Sequence, residues 1–363
     1  MLVDRWGRER VNGAEFDMNH MARRRFFQMT GRVVSPACLG CLLSHQRTAP
    51  LSASPGDPAL APLTKYRRSG RALGAAVSIT VLHPDRPTAL DALDAAFTEL
   101  NQVDRLLSIY RTDSQVCRLN RNGFLDAPHP CLLEALRVAR RVAQQTGGAF
   151  DVTVQPLWKV YERAKREKRL PTDDEIRAAR ARVDWRRVHI AEHRIELRGE
   201  GTAITLNGLA QGYALDRVRA VLRRKAIHHA LVDTGELGAI GQNAHGKPWR
   251  VGIQHPRQAN AFVAVVQLDE RCLATSGDYA TTFTADRTAN HLFEPSTGRS
   301  PHELSSVSIV APKGVLADAL ATAVTVMGSQ RGLQLIHNLP AVDGLLVSKT
   351  GEVHETNGFP RVG

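Results

Sequence analysis

The run AAVSITVLH (75–83) is apolar and β-branched, which predicts a strand. Behind it, TALDALDAAFTELNQVDRLLSIY (88–110) repeats apolar residues at helical spacing and starts at a capping Thr88. SIYRTDSQVCRLN (108–120) reads as a loop of hydrogen-bonding side chains, and PCLLEALRVARRVAQQTGG (130–148) as a helix closed by Gly147 and Gly148. AFDVTVQPLW (149–158) predicts a strand or extended edge ended by Pro156. YERAKREKRLPTDDEIRAARARV (161–183) is a charged insertion with two short helical patterns and a solvated face. Short strands are expected in RVHIAEH, RIELRG and AITLN, between 185 and 207. GLAQGYALDRVRAVLRRKAI (208–227) turns from glycine into a helix. HALVDTG, WRVGIQHP, AFVAVVQL and HELSSVSIVAP predict further strands. Strands and helices alternate without a strict βαβ repeat, so the expected class is α+β, with mixed sheets and packed helices. The folded chain is expected to begin near Tyr66.

One helical stretch breaks its own pattern. ADALATAVTVMG (317–328) is apolar enough to be buried, yet Asp318, Thr322 and Thr325 fall on one face at a 3.6-residue period. A carboxylate in such a place needs a partner or a metal.

Composition narrows the function. The 363 residues are 43% hydrophobic, enough for one large domain or two closely packed lobes. The net charge of +12 suggests nucleic acid, but residues 1–72 carry 12 Lys+Arg against 5 Asp+Glu, and the rest carry 36 against 31. The excess thus sits in an N-terminal extension, and aromatics are only 5%, so nucleic-acid binding is disfavoured. Five scattered cysteines define no disulfide framework, and Cys38–Cys41 lacks the second pair a zinc site needs.

The extension has its own logic. ARRRFFQMT (22–30) places Arg23 and Arg24 before Phe26, Phe27 and Gln28, and the apolar stretch PACLGCLL (36–43) follows. This order resembles a twin-arginine export signal, and the expected location is the periplasm, with CLGC (38–41) a faint tethering signal. No apolar run approaches the length of a transmembrane helix. The expected organisation is a leader and linker over 1–65, one domain over 66–350, and a C-terminal tail over 351–363.

Several glycine turns join strands to polar residues: TGGAFDVTV (146–154), LNGLAQGYALD (206–216), VDTGELGAIG (232–241) and TSGDY (275–279). Such turns bring backbone N–H groups close to a ligand, and a helix N-terminus adds a positive dipole. None matches a dinucleotide or P-loop fingerprint. NHLFEPSTGRSP (290–301) then sets an Asn-His pair, an acid before proline and a Thr-Gly turn within twelve residues.

Taken in order from LGAAVSI to ADALATAVTVMG, over about 73–328, these motifs resemble the ApbE family, the FAD:protein FMN transferases. The resemblance implies an ApbE-like fold of two intimately associated lobes. It implies FAD as substrate, Mg²⁺, and transfer of FMN to a Thr/Ser hydroxyl of a partner by a phosphoester bond, with release of AMP. The implied partner is an acceptor protein with a flavinylation site, a membrane-associated redox protein. By the same resemblance Asp318, Thr322 and the Ala210 carbonyl match the metal ligands, and His291 matches the residue that takes the proton from the attacking hydroxyl. Tyr110 matches an aromatic near the flavin, and Asp151 and Thr153 match its pocket. Gly74, Ser114, Gln211, Gly235, Glu236, Thr297 and Gly298 complete the implied cofactor contacts. Three positions depart from the family: Gln211 stands where Lys is common, Glu294 where Asp is usual, and Gly74-Ala75 where Gly-Thr is usual. Gln211 removes a positive charge near the dinucleotide, which leaves two alternatives: a weaker phosphate clamp, or replacement of the charge by Arg217 or Lys313. Its form, LNGLAQGYALD, looks like the branch associated with nitrous oxide reductase maturation. Two alternatives stay open: an FAD pyrophosphatase giving FMN and AMP, and a non-catalytic periplasmic flavin-binding or maturation protein.

Overall fold

The computed structural model describes residues 62–362, so the expected export signal at Arg23–Arg24 and the Cys38–Cys41 pair lie outside the described residues. The chain opens with a hairpin, β1 (Thr64–Ala72) and β2 (Ala75–His83), turned at Gly74 with a φ of 77°. Helix α1 (Arg86–Leu107) follows; its cap is Asp85, whose carboxylate accepts from Thr88 N–H, so the expected cap at Thr88 moves three residues upstream. Pro87 in the first turn explains the shift, because a helix starts readily at proline.

The expected loop over 108–120 contains a helix instead, α2 (Gln115–Asn122), started by Ser114, which accepts from Cys117 N–H, and ended at left-handed Gly123. Next come β3 (Phe124–Asp126) and α3 (Pro130–Gln145). The expected strand over 149–158 is not formed. Val152–Val154 makes a single 3₁₀ turn capped by Asp151, and Pro156 begins rather than ends an element, α4 (Gln155–Arg166). Helix α5 (Asp173–Arg180) carries a capping box between Thr172 and Glu175. The insertion is not only solvated: its Tyr161, Ile176 and Ala179 form a small core with Leu157 and Phe293.

Strands β4 (Val188–Ile190) and β5 (Arg194–Leu197) join β3 in a small sheet. AITLN (203–207) forms no strand, because its Ile204 bonds both ways to the Asn120 side chain rather than to a neighbouring strand. After α6 (Ala210–Arg224) come β6 (Ala230–Asp233), β7 (Leu237–Ile240), the hairpin of β8 (Trp249–Gln254) and β9 (Phe262–Leu268), and β10 (Cys272–Gly277). TSGDY, read as a turn, thus completes a strand. Then follow β11 (Leu304–Ala311), α7 (Gly314–Met327), α8 (Ser329–His337), β12 (Asp343–Ser348) and β13 (Val353–Glu355).

The main sheet runs β1-β2-β6-β7-β10-β11-β12-β13, antiparallel throughout. That pairing, with helices packed on one face, makes the class α+β, as the pattern of elements predicts. Alternate residues of β11 serve two cores: Val307 and Ile309 face α6 and α7, while Val310 joins the cluster under β8 and β9. The C-terminal segment is woven in, since β13 edges the sheet and Phe359 is buried with Trp249. Among the described residues no helix is long and apolar enough to cross a membrane.

Candidate functional site

Helices α6 and α7 meet through two glycines. A Cβ at Gly212 would stand 2.1 Å from the Gly314 carbonyl oxygen, and one at Gly314 would stand 2.6 Å from that of Gly212. Neither helix has a side-chain cap of its own. Each receives one from the other: Asp318 Oδ2 on α7 accepts from Gly212 N–H at 2.9 Å. Asp216 on α6 accepts from Gly314 N–H at 2.7 Å and Val315 N–H at 3.0 Å. The two carboxylates clasp the helices and supply the acceptors that a helix start lacks. Burial pushes the Asp216 carboxyl above its ordinary range, although both N–H groups oppose this.

Beside this clasp opens a cavity of about 1430 Å³. It exceeds the roughly 300–1,000 Å³ of ordinary ligand pockets. Asp318 and Thr322 enter it from α7, and Ala210 and Gln211 from the start of α6. Thr322 Oγ1 lies 3.2 Å from Ser276 Oγ on β10. The turn between β6 and β7 contributes Gly235 and Glu236. Gly235 has a φ of 97°, and any Cβ there would stand 2.3 Å from Gln211 Nε2, so glycine is required twice over. Glu236 is buried and its Oε2 accepts from Thr275 N–H at 3.0 Å.

The opposite wall carries Gly74, Tyr110 and Asp151. The ring of Tyr110 covers Gly74, and its hydroxyl accepts from Asn207 Nδ2 at 2.9 Å. Asp151 accepts from the Thr153 hydroxyl at 2.6 Å and Trp185 N–H at 3.0 Å, yet burial raises its carboxyl above the usual range.

His291 reaches the cavity from a loop tied down at both ends. Arg257 grips the buried Asp278 with two bonds, at 2.7 and 2.8 Å, just before the loop. The His291 N–H donates to the Thr281 carbonyl at 3.0 Å, and Nδ1 lies 3.3 Å from the same oxygen. A carbonyl only accepts, so this contact selects the tautomer with hydrogen on Nδ1.

Four expected contact residues lie elsewhere. Ser114 is fully buried as the cap of α2, and Thr153 is fully buried between Asp151 and the Asp184 N–H. Thr297 donates to Glu294 in its own turn, and Gly298 packs against Leu157 and Ile176 of the small core. They hold up the walls without lining the cavity. Thr325 bonds back to the Ala321 carbonyl at 2.7 Å, a local role. Arg217 pairs with Glu99 at 2.6 Å, and neither it nor Lys313 lines the cavity. Lining residues that the sequence did not single out include Trp158, Asn207, Asp233 and Tyr279.

Among the described residues no cluster of three His, Cys, Asp or Glu side chains could hold a metal ion. What Asp318, Thr322 and Ala210 offer together is one carboxylate with a hydroxyl and a backbone oxygen. That set suits Mg²⁺, which retains waters and binds substrate phosphates, rather than a closed protein cage.

Comparison with known proteins agrees with this architecture. The sequence model of the ApbE family matches residues 73–346. A protein of Salmonella typhimurium named FAD:protein FMN transferase is 30% identical over 303 residues, 79% of this chain and 85% of that one. The crystal structure of the ApbE protein of Thermotoga maritima superposes with a TM-score of 0.75 at 27% identity, covering 82% of this chain and all (100%) of that one. A flavin transferase ApbE of Vibrio cholerae superposes with a TM-score of 0.71 at 26% identity, covering 83% and 100%. A family-model match across residues 73–346, most of the described fold, places this chain in the ApbE family.

Proposed function

We propose that the protein is a FAD:protein FMN transferase that joins FMN to a Thr or Ser hydroxyl of a partner flavoprotein. The observation that carries this reading is the joining of Asp318, Thr322 and His291 in one cavity. The hydroxyl oxygen of the acceptor attacks the phosphorus of the FMN half. The bond from that phosphorus to the AMP oxygen breaks, AMP leaves with the electron pair, and the hydroxyl proton passes to His291 Nε2. Mg²⁺ held by Asp318, Thr322 and the Ala210 carbonyl would neutralise charge on the phosphate oxygens. The Thr281 carbonyl keeps His291 in the required tautomer, and the Arg257–Asp278 pair fixes the loop that presents it.

His291→Ala separates catalysis from binding. FAD affinity is expected to change little, while single-turnover transfer falls about 10²-fold or more, the scale of a lost general base. Wild-type transfer is expected to decline at acid pH, because imidazolium cannot accept a proton. Weakened FAD binding, with turnover recovered at saturating FAD, would instead make His291 a ligand contact.

A further inference from the structure

Gln211 leaves the dinucleotide without the cation expected near α6, and Arg217 and Lys313 do not line the cavity. The start of α6 is also partly spoken for, since Gly212 N–H donates to Asp318. Meanwhile the carboxylates of Asp151, Asp233, Glu236 and Asp318 line the same space. Beyond the Mg²⁺ proposed at Asp318, a diphosphate entering it is held better where a further cation stands opposite.

Among the described residues the lining holds two arginines and no lysine: Arg67 and Arg71, both on β1. Strand alternation puts them on one face with Ser69 between. Even-numbered neighbours face the other way and are fixed by α1: the Arg68 guanidinium lies 4.5 Å from the Phe97 ring centre and pairs with Asp94, and Gly70 meets the Phe97 ring. A Cβ at Gly70 would stand 2.9 Å from that ring, which fixes which face turns to the cavity. Across the sheet, Ser69 pairs with Ser78 and Ser78 with Asp233. The wall therefore stands two strand spacings, about 10 Å, from the turn that holds Gln211 against Gly235. Arg67 Nη2 already donates to Ser78 Oγ at 3.2 Å, which aims its guanidinium along the wall. Both arginines are exposed to the cavity, and small residues around them leave room for a ligand.

We infer that Arg67 and Arg71 form the anion-recognition wall for the phosphate-bearing part of the dinucleotide, replacing the cation lost at Gln211. This rests on the transferase reading above. Guanidinium groups suit the role because their paired donors match phosphate oxygens.

The test is calorimetric titration of the full chain with FAD, with ADP, and with riboflavin, which lacks phosphate. Arg67→Gln and Arg71→Gln are each expected to weaken FAD and ADP about tenfold, at the lower end for a charge-assisted bond because both sites are exposed. Riboflavin binding is expected to stay unchanged, which also reports an intact fold. The Arg67→Lys/Arg71→Lys protein keeps the charge and is expected to retain most of the affinity and its decline with added salt. FAD affinity of the double Gln variant within twofold of wild type would overturn the assignment. So would unchanged FAD affinity with a raised KM for the acceptor protein, which would give the wall to an acidic acceptor segment. A wild-type protein that binds no FAD would refute the transferase reading itself, a different result from wild-type binding that the arginines do not influence.

Discussion

Asp318 serves two demands at once. Its Oδ2 caps α6 through Gly212 N–H, and its carboxylate supplies the only formal charge among the proposed metal ligands. The two roles separate by substitution. Asp318→Asn keeps an oxygen for the Gly212 N–H but loses the charge; Asp318→Ala loses both. Both variants are expected to lose Mg²⁺-dependent transfer. Only the Ala variant is expected to lose stability, by about 0.5–2 kcal/mol, the usual cost of a lost cap. Melting curves and single-turnover transfer on the pair check this. An Asn variant with wild-type turnover and metal affinity would reduce Asp318 to a cap. At this scale the sequence was readable in part. The face shared by Asp318 and Thr322 follows from helical periodicity alone. Ser114 and Thr153 match cofactor contacts by resemblance, but small polar residues look alike in a motif whether they meet a cofactor or satisfy a backbone N–H. Only burial separates the two.

The α6–α7 clasp was not legible, since its bonds join residues 98 and 106 positions apart. Asp216→Ala removes the acceptor for two N–H groups at the start of α7. The expected loss is about 1–2 kcal/mol. The melting temperature should fall by about 2–4 °C per kcal/mol. Because α7 carries Asp318 and Thr322, Mg²⁺ affinity is expected to fall as well. A fall in melting temperature with unchanged metal affinity would show that the clasp supports the fold alone. Element boundaries failed where one residue had two meanings. Pro156 reads as a strand end, yet it fits the first turn of α4 equally well. Gly277 reads as a turn, yet it ends β10 by pairing with Ser306, and a Cβ there would stand 2.2 Å from the Tyr279 ring. The long runs over 75–83 and 208–227 were readable because period and length agreed.

Across the whole molecule, the cavity gathers side chains from the first hairpin to the last long helix, so no single motif marks it. Their order along the chain did. The antiparallel sheet sets β1, β2 and the β6–β7 turn beside the starts of α6 and α7, and the loop pinned by Arg257 closes the ring with His291. The arginines of β1 escaped notice because they precede every glycine motif and resemble an ordinary exposed strand. The most direct test of the account is the intact mass of an acceptor flavoprotein domain after incubation with this protein, FAD and Mg²⁺. The account predicts a gain of one FMN on a Thr or Ser, equimolar AMP, and loss of both in EDTA. An unmodified acceptor with free FMN and AMP would make the protein a hydrolase, and an unmodified acceptor with intact FAD would make it a binding protein; either result contradicts the account.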